Sequence, residues 1–120
     1  MSLNNFLFSN DHIWLKSISN NEYEIGITDY AQDLLGDIVF FEINKNQMFK
    51  KGEPFGFIES VKTSSDLIAP ADLEVISINL ELMEELTLIN DKPYESHLCK
   101  IKVISEEKYL NEAEYKSLLG

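Results

Sequence analysis

The run Gly56-Phe57-Ile58-Glu59-Ser60-Val61-Lys62-Thr63-Ser64-Ser65-Asp66-Leu67-Ile68-Ala69-Pro70 decides how the chain is read. Two apolar segments, Phe55 to Ile58 and Leu67 to Ala69, flank a short polar centre with a single lysine. Strand formers on either side of a polar turn predict a β-hairpin with Lys62 at its tip. A hairpin tip is an exposed loop carried by a rigid scaffold, where partners reach a side chain most easily. Most surface lysines only keep a protein soluble, so the reading turns on the rest of the chain.

Upstream, His12 to Ile18 and Tyr23 to Ile27 read as strands, the second with period two, joined as a hairpin at Asn20-Asn21. Thr28 to Gly36 reads as a helix of about two turns, stabilised mainly by docking. Thr28 caps it, Asp29 favours its positive end, and Ala31, Leu34 and Leu35 form its apolar stripe. Gly36 stands where such a helix ends in the left-handed conformation. Ile38 to Ile43 is an almost continuous apolar run, predicted as a strand buried on both faces. A short strand fits Met48-Phe49.

Downstream, Leu73 to Asn79 is a strand with Leu73, Val75 and Ser77 on one face, and Leu80 to Leu86 is a helical turn or compact loop. Ile89 to Tyr94 reads as a turn. Leu98 to Ile104 alternates as a half-buried strand. Asn111 with Glu114 makes a capping box for a C-terminal helix, and Leu110 can staple to Tyr115. Period-two runs at this spacing predict one mainly β domain over residues 1–120, a sandwich or a flattened barrel, with small helices at its margins. Periodicity does not choose between the two.

Composition narrows the function. The chain has 120 residues and a net charge of −11, and all ten basic residues are lysines. With no basic patch to neutralise phosphates, nucleic acid is excluded as a partner. An acidic surface suits docking onto basic rims of other proteins. Cys99 is the only cysteine, so no internal disulfide forms, and it reads as a small core residue. No apolar stretch approaches the roughly 20 residues that span a bilayer. The N-terminus lacks a signal-peptide pattern, so the expected compartment is the cytoplasm.

Catalytic material is scarce. His12 and His97 are the only histidines, and with Cys99 they make a weak metal set. There is no nucleophile elbow, and the five glycines are dispersed rather than gathered in a phosphate loop. The chain therefore reads as non-catalytic, with no metal site. A lysine can serve as a Schiff-base amine or as a handle for an attached group. Lys62 stands between Glu59 and Asp66, whose charges favour an ammonium rather than the desolvated amine of Schiff-base chemistry. Acylation would instead turn its stem into a longer neutral tether. A tether on a rigid tip raises the local concentration of its cargo beside a docked partner.

Three groups of residues carry a family resemblance. They are Gly26-Ile27-Thr28-Asp29-Tyr30-Ala31-Gln32 with Leu35-Gly36-Asp37-Ile38-Val39-Phe40, then Gly56 with Glu59-Ser60-Val61-Lys62, Ser65-Asp66 and Ala69-Pro70, then Leu88-Ile89-Asn90 with Pro93-Tyr94. In order and near-spacing they closely resemble the glycine cleavage system H proteins, from His12 to the C-terminal helix. The resemblance implies a biotinyl/lipoyl-type barrel-sandwich hybrid with lipoic acid in amide linkage on Lys62, surrounded by Glu59, Ser60, Val61 and Asp66. It implies a carrier that shuttles the aminomethyl group of glycine between its partner enzymes. These are glycine decarboxylase (P protein), the aminomethyltransferase (T protein) and dihydrolipoyl dehydrogenase (L protein), with a lipoate ligase or lipoyl transferase that loads the arm.

The chain also departs from the family pattern. The usual Glu before the tryptophan, associated with holding the loaded arm's amine, is Ile13, while Asp66 is retained. The usual Ser-Gly after Ala-Pro is Asp72-Leu73, and the usual Gly-Trp before the last strand is Ser96-His97. A loop glycine after Ile43 is missing, where Asn44 and Asn46 tolerate left-handed geometry. The loss at Ile13 motivates one alternative, an H-like carrier for lipoate relay or lipoyl-dependent protein modification; a further alternative of a different class is an unmodified interaction module that has kept the fold. A biotin carrier is disfavoured, because the methionines that usually flank its lysine are absent.

Overall fold

The structure, a computed structural model, describes residues 3–45 and 47–120. Strands β1 (Phe6–Phe8), β2 (Ile13–Ser19) and β3 (Glu22–Ile27) pair antiparallel in succession. Asn21 turns β2 into β3 at φ 61, a left-handed position that asparagine tolerates. Helix α1 (Asp29–Leu35) begins as expected, with Thr28 Oγ1 accepting the Ala31 N–H at 3.3 Å. Ala31 and Leu35, four apart, pack against the core, whereas Leu34 is 58% exposed. A helix of this length docks one i, i+4 row, and Leu34 lies off it.

Strands β4 (Ile38–Ile43), β5 (Met48–Phe49), β6 (Pro54–Ser60), β7 (Ser64–Ile68) and β8 (Leu73–Ile78) follow, and a 3-10 turn spans Leu80–Glu84. The expectation that β4 is buried on both faces is corrected. Ile38, Phe41 and Ile43 are buried, while Val39, Phe40 and Glu42 are exposed. A register shift between Ile38 and Phe40 breaks the alternation, so adjacent Val39 and Phe40 are both solvent-exposed. The predicted turn at Ile89–Tyr94 is also corrected. It contains most of helix α2 (Thr87–Asp91) and the start of a 3-10 turn at Pro93–Glu95. Buried Ile89 anchors α2, a helix too short to stand by itself. Strand β9 (Cys99–Val103) and helix α3 (Glu112–Leu119) complete the chain.

All strand pairs are antiparallel, in a six-stranded sheet of order β1-β2-β3-β9-β8-β5 and a three-stranded sheet of order β4-β6-β7. Inward residues of both sheets, including Leu15, Ile25, Phe41, Phe55, Ile58 and Ile101, share one core. Each fully buried side chain of this size contributes about 1.5–3 kcal/mol by leaving water. The fold is thus mainly β, a barrel-sandwich hybrid with short peripheral helices and a C-terminal helix. Cys99 is fully buried in the core, as expected, and burial pushes its thiol far up.

Alternation along β2 sends Ile13 and Leu15 into this core and Trp14 into a second cluster with Phe6, Phe8 and Tyr115. Phe6 meets Trp14 edge-on at 5.2 Å, and Phe8 stacks on Tyr115 at 4.7 Å. The Trp14 indole N–H donates to the Pro93 carbonyl at 3.0 Å. Gly26, the β3 partner of Trp14, leaves room for that ring, since a Cβ there would stand 2.6 Å from it. The capping box of α3 is formed as expected, with Glu114 N–H to Asn111 Oδ1 at 2.8 Å and Asn111 N–H to Glu114 Oε1 at 3.0 Å. Leu110 packs against the same cluster as Tyr115. Asn44 does not adopt a positive φ, whereas His12 does at φ 64; Asn46 lies outside the described residues.

Candidate functional site

The β6–β7 hairpin turns through Ser60, Val61, Lys62 and Thr63. The Ser60 N–H donates to the Thr63 carbonyl at 2.8 Å and closes the turn. Ser60 Oγ then receives the N–H groups of Lys62 at 3.3 Å and Thr63 at 3.1 Å and lies 3.2 Å from the Thr63 carbonyl. One nearly buried hydroxyl thus satisfies donors that a tight turn would otherwise leave to solvent. The tip is also tied sideways, for the Val61 N–H donates to the Asp37 carbonyl at 3.0 Å. Lys62 itself is exposed, and its stem lies across Gly36 at the end of α1.

That end of α1 is held by Asn90 of α2. Its side-chain amide donates to the Gly36 carbonyl and to Gln32 Oε1, each at 2.9 Å, and its Oδ1 accepts the Ile38 N–H at 3.0 Å. Asn90 therefore fixes the segment that carries both Gly36 and Asp37, and through them the hairpin tip. Asn90 belongs to the Leu88-Ile89-Asn90 motif, but the motif alone gives it no role, because its partners are distant in sequence. Gly36 has the expected positive φ of 83, but with ψ −160 it is outside the left-handed helical region.

The remaining predicted residues surround the tip. Glu59 is half-buried opposite Ser64, while Asp66 is exposed opposite Phe57, further down the hairpin. Val61 is 68% exposed. Ile13 is buried in the main core and contributes packing there. The weak metal set is not gathered. His12 Nδ1 lies 2.8 Å from the Tyr115 hydroxyl, His97 Nδ1 lies 3.7 Å from Glu24 Oε2, and Cys99 is in the core. Among the described residues no group of His, Cys, Asp and Glu is placed to hold a metal ion.

A rigid sandwich whose hairpin ends in a pinned turn with an exposed lysine defines a carrier module, because the amine is accessible to macromolecules rather than enclosed in a cavity. The comparisons give that class its family. A family model described as glycine cleavage H-protein matches residues 6–119. The glycine cleavage system H protein of Clostridioides difficile (strain 630) is 42% identical over 114 residues, covering 92% of this chain and 91% of that one. The H protein of Methylobacillus flagellatus is 42% identical over 118 residues, covering 97% and 96%. The crystal structure of an H protein from Mycobacterium marinum superposes with a TM-score of 0.88 at 28% identity, covering 98% of each chain.

The chain belongs to the glycine cleavage H-protein family. It is a lipoyl carrier of the glycine cleavage system and not itself a catalyst. Its cofactor is lipoic acid on a lysine, and its partners are the P, T and L proteins of that system. Among the described residues no helix is long and apolar enough to cross a membrane.

Proposed function

We propose that Lys62 is the lysine that carries the lipoyl group, with Glu59, Ser60, Val61 and Asp66 as the surroundings of the attachment point. The observation that carries this reading is the pinned tip. The turn is closed by Ser60 and Thr63, tied to Asp37, and leaves the Lys62 side chain exposed. The residues fit an amide-linked arm, because the acylated Nζ becomes neutral and extends a stem already accessible to solvent. A lipoate ligase or lipoyl transferase supplies the activated acyl group. Nζ, as the free amine, attacks its carbonyl, loses a proton and displaces the activating group. When bound, the lipoyl disulfide is what accepts the aminomethyl group.

The protein's own residues supply position. Backbone and Ser60 hydrogen bonds hold the Lys62 backbone, so the side chain swings from a fixed point and its cargo is presented at high effective concentration. Val61 beside it is an exposed apolar contact for the loading enzyme. The same reading takes residues 1–120 as one carrier domain and places its work in the cytoplasm, supported by its bacterial relatives.

Incubation of the folded chain with lipoate ligase, ATP and lipoic acid, followed by intact-mass measurement, tests the assignment. One lipoyl adduct is expected on the wild-type chain and none on Lys62→Ala. An adduct that persists in Lys62→Ala moves the attachment to another of the ten lysines and overturns the proposal.

A further inference from the structure

Asp37 stands between two residues that one side chain binds. The Asn90 amide donates one N–H to the Gly36 carbonyl and the other to Gln32 Oε1, while its Oδ1 accepts the Ile38 N–H. Both donors and the acceptor are in use. Only this orientation of the amide satisfies them, since a flip would set Oδ1 against the Gly36 carbonyl and the NH2 group against the Ile38 N–H. The bond to Ile38 reaches furthest. The Ile38 N–H and the Asp37 carbonyl belong to one peptide group, planar and trans, so they point to opposite sides of the chain. Asn90 holds the N–H side, and the carbonyl side accepts the Val61 N–H at 3.0 Å. One rigid plane thus joins Asn90 to the residue before Lys62, and hydrogen bonds in series through a peptide strengthen one another. Ile38 is also the register partner of Ser60, where the turn begins. The Gly36 carbonyl, held by the same amide, belongs to the residue beneath the Lys62 stem.

Helix α2 holds Asn90 from below. Ile89 beside it is fully buried, and the hydroxyl of buried Ser96 lies 2.9 Å from the Leu88 carbonyl and 2.6 Å from the Lys92 carbonyl, on either side of Asn90. We infer that Asn90 is a positioning residue for the acylation of Lys62, setting the direction in which the tip presents the Lys62 stem to a lipoate ligase. Asn90 acts through Gly36, Asp37 and Val61 rather than on the reacting amine. The effect is therefore one of orientation. A chain with a misdirected stem still docks with the ligase, but its Nζ meets the activated acyl carbon in line less often, so kcat falls while KM for the chain holds.

The inference rests on Lys62 as the attachment residue, and its test separates the two. The full chain is incubated with lipoate ligase, ATP and lipoic acid, each variant at the same interval below its own melting temperature. Asn90→Asp keeps an acceptor for the Ile38 N–H but sets a second oxygen, in place of the two donors, against the Gly36 carbonyl. Asn90→Ala removes all three bonds. In both, kcat should fall about tenfold with KM for the chain within about twofold of wild type, and one complete adduct should still form. Amide hydrogen exchange should quicken at Val61 more than at Ile101 in the core. Ile89→Val, a core truncation on the same helix that leaves the three bonds in place, should keep kcat and the Val61 exchange rate near wild type. An equal loss in Ile89→Val would mean that Asn90 acts through stability alone and overturns the inference. Thermal unfolding shows which variants remain folded; if Asn90→Asp does not, Asn90→Ala decides, and loss of the fold in both makes Asn90 a structural residue and likewise overturns it. Wild-type kcat in a folded Asn90 variant overturns this inference alone, whereas an adduct that persists in Lys62→Ala overturns the attachment reading and this inference with it.

Discussion

The stem of Lys62 lies across Gly36, for a Cβ at position 36 would stand 3.4 Å from Lys62 Cε and 3.8 Å from Nζ. The end of α1 thus forms the floor beneath Lys62, the proposed attachment residue, and the Val61–Asp37 hydrogen bond holds the tip against it.

Replacing Gly36 by alanine is therefore a test of that floor. The added methyl meets Lys62 at ordinary contact distance, so the cost is in the backbone. At φ 83 and ψ −160 the residue occupies a region that side chains other than glycine enter only under strain. Gly36→Ala should lose about 1–3 kcal/mol of stability. The backbone relaxes toward negative φ, shifting the Gly36 and Asp37 carbonyls that bind Asn90 and Val61. Lipoylation should still occur on Lys62 but more slowly. A melting curve and a lipoylation time course check this, and a wild-type melting temperature would show that the floor carries no strain.

Ser60 gives a second prediction. Its hydroxyl oxygen accepts the backbone N–H groups of Lys62 and Thr63. In Ser60→Ala those donors turn to water at an exposed turn, so the stability loss should be about 1 kcal/mol, the worth of an ordinary hydrogen bond. The larger effect should be on presentation, because a looser tip samples orientations the ligase does not accept. The kcat/KM for lipoylation should fall while the final adduct remains complete. Hydrogen exchange at Lys62 and Thr63 should quicken; unchanged exchange would mean the backbone bond between Ser60 and Thr63 holds the turn unaided.

These contacts differ in how far the sequence exposes them. The hairpin was legible because its apolar runs, its polar centre and its lysine are all local. The Thr28 cap of α1, the capping box of α3 and the fate of Cys99 were legible for the same reason. The outward face of β4 was not, because a run of Ile38, Val39, Phe40 and Phe41 looks buried at every position until the register shift with β6 is known. The role of Asn90 was hidden too. Its partners are Gln32, Gly36 and Ile38, more than 50 positions away. Helix α2 lacks a side-chain cap and depends on burying Ile89, so local propensity could not separate it from a turn.

The two histidines set the third prediction, which concerns pH. His12 lies among Asp11, Tyr30 and Tyr115, and burial lowers its pKa below 6.5 against the raising effect of Asp11. His97 lies between Glu24 and Lys100, and burial again lowers its pKa, with Lys100 adding to the fall and Glu24 opposing it. The 3.7 Å approach to Glu24 would by itself favour a charged imidazole, but desolvation is the larger effect. Both groups thus bind a proton less readily when folded than in the unfolded chain. Between the folded values and about 6.5 the unfolded state holds more protons, so unfolding free energy rises with pH. The stabilisation is fully present above about pH 6.5 and is lost as pH falls through the folded pKa values. The melting temperature should therefore drop from about pH 7.5 to about pH 5.5, in the range where histidine titrates. In the His12→Gln, His97→Gln double variant the drop should shrink, since no imidazole remains to be protonated. Melting curves across this range check the sign, and a wild-type chain that becomes more stable on acidification would show that the pairing with Glu24 and Asp11 outweighs burial.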